Sequence, residues 1–165
     1  MPLITAEGLR SDLFVTLADD AALPEEGGAI VSLARFRKDR ETLLSRNAPI
    51  GVRLKAEESP EQLGEDVHRL SVVALEFPKF RDGRAFSWAR QLRTRLRFCG
   101  EVRAVGDFLY DQIAHQRRVG FDAWDVADSF SESEFRRALG EITNVYQPSA
   151  DGRKTIRDLR VSAST

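Results

Sequence analysis

Short apolar runs alternate along this chain with charged segments that carry an apolar stripe, and that alternation restricts the folds open to it. The runs fall at 29–36, 50–54, 71–77, 101–106 and 121–126. Ser59-Pro60-Glu61-Gln62 reads as a helix start: Ser59 caps, Pro60 takes the first helical position, and Leu63, Val67 and Leu70 follow on one face. Asp82 caps a second helix, with Ala85, Ala89, Leu92 and Leu96 on its stripe. Asp107 caps a third, through Leu109, Ile113 and Gln116 to Gly120. Ser131 and Glu134 form a capping box ahead of Phe135, Ala138 and Ile142. About five consecutive strand–helix units predict an α/β fold with a parallel sheet and right-handed crossovers. Leu3-Ile4-Thr5 and the 14–17 stretch, around Gly8, predict a short N-terminal hairpin. The expected organisation is one α/β domain over 1–146, in which 1–28 is hairpin and linker, followed by an irregular tail over 147–165 with a frayed Ser-Ala-Ser-Thr end.

The strands are not purely apolar, as the centre of an open doubly wound sheet would be. Arg53, Glu76, Glu101, Arg103, Asp122 and Asp125 all lie within runs. Charges inside strands, toward their carboxyl ends, are characteristic of a (β/α) barrel where it opens to a ligand. Two architectures therefore stand side by side. One is an open doubly wound sheet; the other is a partial (β/α) barrel, completed by the hairpin or by a second copy of the chain as a homodimer.

Composition excludes several classes. With 25 basic and 26 acidic residues the net charge is -1, so no global field draws nucleic acid. The arginines at 90, 93, 95 and 97 lack interleaved exposed aromatics, which also argues against a nucleic-acid partner. No apolar run is long enough to span a bilayer, and the amino end lacks a basic-then-apolar signal, so the expected setting is cytoplasmic, without membrane. Cys99, the one cysteine, sits at a predicted helix end and is expected to be inert rather than nucleophilic. His68 and His115 have no nearby second ligand, so no metal site is expected. Phosphate-loop, dinucleotide-turn and nucleophile-elbow motifs are absent, so no cofactor is expected.

Charge is nevertheless uneven. Residues 1–30 are acidic and residues 79–103 are basic, so the two either face each other or leave the middle to face a partner. At the strand ends, Arg53, Lys79, Gly83, Arg84 and Arg103 are the candidate anion-binding group, with the helix start at Gly83 supplying backbone N–H groups. The alternative is that Asp82 already occupies those N–H groups. Glu76 and Asp107 are the candidate acid–base residues; the competing readings are an ion pair of Glu76 with Arg53 or Arg103, and a purely capping Asp107.

The segments LEFPKFRDGRAFSWARQLR and GEVRAVGDFLYDQIAHQRRVGFDAWDV resemble a bacterial family of unknown function (domain of unknown function nine-three-four). The motif residues that carry the resemblance are Phe77, Pro78, Phe80, Asp82, Gly83, Arg84, Arg103, Gly106, Asp107, Asp111, Gln112, Arg118, Gly120 and Phe121. Many relatives have a cysteine where Val119 stands here, which weighs against thiol chemistry. The resemblance implies genes beside those of assimilatory sulfite reductase, and no transferable activity. Two functions are therefore expected. The first is an accessory protein of reductive sulfur assimilation that binds sulfite reductase or its electron carrier. The alternative is an enzyme acting on an anionic sulfur- or phosphate-containing metabolite at the carboxyl ends of the strands.

Overall fold

The computed structural model describes residues 2–127 and 130–162. Its strands are β1 (Leu3–Thr5), β2 (Gly8–Arg10), β3 (Phe14–Thr16), β4 (Gly28–Ser32), β5 (Ile50–Leu54), β6 (Val72–Phe77), β7 (Glu101–Gly106) and β8 (Ala123–Asp125). Its α-helices are α1 (Leu33–Lys38), α2 (Arg40–Ser45), α3 (Arg84–Thr94), α4 (Tyr110–Val119), α5 (Glu132–Leu139) and α6 (Ile156–Ser162). The eight strands form one sheet in the order β2-β1-β8-β7-β6-β5-β4-β3.

The sheet is mixed, which corrects the expectation of a wholly parallel one. β3 through β8 run parallel, whereas β1 is antiparallel to both β2 and β8. The hairpin is also differently composed. β1 turns at Ala6-Glu7 onto β2, with Gly8 at φ 125° accommodating the turn. The 14–16 strand instead crosses to the far edge and pairs with β4. Between β5 and β6 the chain forms a 3-10 helix (Pro60–Arg69) in place of the expected α-helix. Ser59 does accept from the Glu61 N–H and Pro60 does open the helix, but Gly64, at φ 55° and ψ -143°, breaks it.

The sheet curls into a half-barrel. Arg103 on β7 and Phe14 on β3 are four strands apart, about 19 Å in a flat sheet. Yet the Arg103 guanidinium lies 5.7 Å from the Phe14 ring centroid. Residues 11–13 alone join the two edge strands, and the step from Arg10 to Phe14 reaches at most about 14 Å. Flat edges seven strand spacings apart would lie about 34 Å from each other.

Alternation then separates two cores. Val31, Val52, Val73, Leu75, Val102 and Trp124 face outward, under the helices, into the main core. Ile30, Val72, Ala74 and Val105 face inward with Phe14, as a smaller second cluster. The in-strand charges follow the inward register: Arg53 pairs with Ala74 and Ala74 with Arg103 across neighbouring strands. Burying these strands on both faces is therefore compatible with charge, because the concave face supplies partners. Arg103, 1% exposed, donates to Asp12 at 2.6 and 3.1 Å and to Glu101 at 2.8 Å, and Arg10 also pairs with Glu101. Here the acidic lead of the chain meets its basic middle.

The 147–162 stretch is not irregular throughout. Thr155 is buried and bonds Asp158 through Oγ1 at 2.7 Å, at the start of α6. Arg118 ties the stretch to α4 by donating to Asp151 at 3.2 Å and to the Gln147 carbonyl at 2.6 Å. Of the Ser-Ala-Ser-Thr end expected to fray, Ser162 is the last residue of α6 and 163–165 lie outside the described residues.

Candidate functional site

Beyond the carboxyl end of β6, the chain makes a tight turn before α3. The Asp82 N–H donates to the Lys79 carbonyl at 2.9 Å, and the turn displays Lys79, Phe80 and Arg81 to solvent. Phe80 is 37% exposed, and the Arg81 guanidinium lies 5.3 Å from its ring centroid, within cation–π range. A shallow depression of about 460 Å³ is lined by Pro78, Lys79, Arg81, Asp82 and Gly83.

Three separate stretches of the motif converge beneath this turn. Phe77 anchors its root, buried in edge-on contact with Phe86 (5.5 Å) and Phe108 (6.0 Å), with Phe121 at 5.8 Å. Gly106, at φ 100°, lies so close to β6 that a Cβ would meet the Phe77 carbonyl, and the Asp107 N–H donates to that carbonyl at 2.8 Å. Asp107 Oδ2 accepts from the Phe80 N–H at 3.3 Å. Gln112 reaches both ways: its Nε2 donates to the Phe80 carbonyl at 2.7 Å, and its Oε1 accepts from the Leu109 N–H at 3.1 Å. Both backbone groups of Phe80 are thus held from below. Leu109, joined to Phe80 through Gln112, is 43% exposed. Asp82 accepts from the Arg84 N–H at 3.2 Å and pairs with its guanidinium at 2.6 Å; that double hold pushes its carboxyl down to about 2.

The candidate anion-binding residues do not gather at one mouth. Lys79 and Gly83 line the depression on the turn; Gly83, not the expected Asp82, is the N-cap of α3 and makes no side-chain cap bond, while Asp82 takes the Arg84 N–H and pairs with its guanidinium. Arg103 is inside the half-barrel, neutralised by Asp12 and Glu101. Arg53 lies on the concave side, its Nη2 3.1 Å from Glu76 Oε2, so the ion-pair reading of Glu76 describes the geometry. Asp107 serves the Phe80 N–H rather than the helix after it, whose first residue is Tyr110. Asp111 is exposed and lines a different depression with Tyr110, Glu134 and Arg137. Gly120 closes α4 at φ 119°.

The basic middle is also thinner than its sequence. Arg93 is spent internally on the carbonyls of Phe98, Gly100 and Gly120 and on Asp122, and Arg95 pairs with Glu61. Lys79, Arg81, Arg90 and Arg97 remain exposed with no ion pair among the described residues. Sequence reasoning placed Leu109 only within the third helix and did not name Arg81 as a site residue; the Phe80-Arg81 pair between Lys79 and Asp82 was the available signal for Arg81.

Cys99 is exposed, with Sγ 3.4 Å from the Arg97 carbonyl. Burial, and then the Arg118 charge, push the His115 imidazole below its ordinary value. Among the described residues no group of three or more His, Cys, Asp and Glu is arranged to hold a metal ion, and no helix is long and apolar enough to cross a membrane.

The sheet, the helices on its convex side and the converging motif define a mixed α/β half-barrel with a rigid presented turn. Residues 51–157 match the family model described as "Bacterial protein of unknown function (DUF934)", and the chain belongs to that family. No curated protein and no solved structure matches the chain.

Proposed function

We propose that this protein is a cytoplasmic accessory of reductive sulfur assimilation that docks sulfite reductase, or the carrier that delivers electrons to it, through the 79–83 turn. The observation that carries the reading is the hold of Asp107 and Gln112 on the backbone of Phe80, with Gly106 packed against the Phe77 carbonyl at the root of the turn. The side chains of Asp107 and Gln112 are engaged in fixing a turn whose own Lys79, Phe80 and Arg81 lie in solvent. A preformed, solvent-exposed turn beside only a shallow depression, with an aromatic and two cations that have no ion pair among the described residues, suits a protein surface better than a small molecule. Rigidity lowers the ordering cost of association. Positive charge at the tip favours an acidic partner and raises the encounter rate. The choice of sulfite reductase as partner rests on the gene neighbourhood that the family resemblance implies.

The catalytic alternative has less support, since Glu76 is held by Arg53 and Asp107 by the Phe80 N–H. The test is a pull-down of sulfite reductase holoenzyme and its reductant with the full chain at low and high salt. A complex that weakens with salt supports the proposal, and no complex at either salt overturns it.

A further inference from the structure

A second depression, of about 300 Å³, opens at the carboxyl ends of β3 to β6 on the concave side of the sheet and shares no lining residue with the one at the docking turn. Its walls include Leu17, Ser32, Arg53, Lys55, Glu58 and Glu76. The position is where ligands settle in parallel α/β sheets, and the volume lies at the lower end of small-molecule sites.

The charged groups here are aimed. Arg53 places Nε and Nη2 on the same oxygen, Glu76 Oε2, at 3.2 and 3.1 Å. That fixes the plane of the guanidinium and leaves Nη1 with no partner among the described residues. The side chain is still 39% exposed, so a guest can reach it. Glu58 Oε2 accepts the Lys55 N–H at 2.8 Å, which holds that carboxylate at the rim with Oε1 left over. The Lys55 ammonium has no ion pair among the described residues. Ser32 gives its hydroxyl hydrogen to Asp19 at 2.6 Å and so presents no free donor.

The charge sum decides the guest. Among the lining residues Arg53 and Lys55 are balanced by Glu58 and Glu76; Asp19 is not a lining residue and takes the Ser32 hydroxyl. An inorganic dianion gains two cations but faces two carboxylates. A diamine meets the reverse. A guest that carries one charge of each sign satisfies both, and Leu17 supplies an apolar surface for its remainder. We infer that this mouth binds a free α-amino acid, carboxylate on Arg53 and ammonium on Glu58. The inference is independent of the docking turn.

The test is isothermal titration calorimetry of the full chain with the common amino acids. Each one that binds is compared with its N-acetyl derivative, its decarboxylated amine, and sodium sulfate. Binding of at least one amino acid is expected, with both truncated derivatives and sulfate weaker by about tenfold or more. R53Q and E58Q should each weaken it by a similar factor, and the K79A/R81A variant should leave it unchanged. E58Q alters a rim residue, so it reads the site even if R53Q does not fold. The inference is overturned if no amino acid binds, if sulfate or the N-acetyl derivative binds as well as the parent, or if E58Q binds like the wild type.

Discussion

Asp107 Oδ2, just beyond β7, accepts the backbone N–H of Phe80 at 3.3 Å across the gap to the turn that follows β6. Gln112 Nε2 donates to the Phe80 carbonyl at 2.7 Å. An exposed aromatic residue is thereby fixed at its backbone by two side chains from another crossover. Neither bond closes a secondary-structure element, so both act on the pose of the turn.

Replacing Gln112 by Leu removes the hold on Phe80 and Leu109 together. A hydrogen bond of this kind contributes about 1 kcal/mol net. Amides of the 79–82 stretch should exchange roughly fivefold faster in hydrogen-exchange mass spectrometry, while the amides of β6 and β7 keep their protection. Unchanged exchange at the turn would contradict this role for Gln112.

Gly106 has no room for a side chain. Its φ of 100° disfavours any L residue, and a Cβ would press on the Phe77 carbonyl. Gly106→Ala should lose about 2 kcal/mol or more of stability in urea unfolding, with β6 and β7 forced apart at their carboxyl ends.

Arg103 fastens the 11–13 link across the concave face. Arg103→Met keeps the volume and apolar stem but abandons Asp12 and Glu101, of which Glu101 retains Arg10. Removing one member of a buried charged group costs about 3–5 kcal/mol. The loss here is expected at the lower end, about 3 kcal/mol, because Asp12 is partly exposed. Denaturant titration measures it, and a neutral substitution would mean that the charges hold nothing together.

Asp125 gives a pH signature. Burial pushes its carboxyl above the ordinary value and Asp12 adds to that, against the opposing charges of Arg103 and Arg53. A raised carboxyl contributes stability that is complete below the unfolded value of about 3.9 and is lost as pH rises through the folded value. Asp125→Asn should therefore raise the urea midpoint at pH 7, and the gain should vanish below about pH 3.9, where the acid is protonated in both states. A gain that is equal at both pH values would contradict the assignment.

The strands at 50–54 and 101–106 were legible because each is a short run rich in β-branched and apolar residues between charged stretches, despite the charges within it. The partner of β1 was not. Three-residue strands carry too little alternation to choose between 8–10 and 14–16, and the choice is made by the turn at Ala6-Glu7. The curl was legible only as in-strand charge. What closes it is the contact of Asp12 with Arg103, 91 residues apart in sequence. At the candidate site the motif stood out as a group, and the claim of Asp82 on a helix-start N–H was visible as an alternative, whereas its ion pair with the Arg84 guanidinium was not. The work of Asp107 and Gln112 was hidden, because a first-turn acid and glutamine look like ordinary helix capping until the neighbouring crossover is in place.

The central claim is that the 79–83 turn is the docking element. Binding of sulfite reductase holoenzyme or its reductant to the immobilised chain, compared between wild type and the K79E/R81E variant at low salt, addresses it most directly. The account predicts that the association rate falls by about tenfold or more in the variant while its circular dichroism and unfolding midpoint stay those of the wild type. Equal association rates for the two proteins would contradict it.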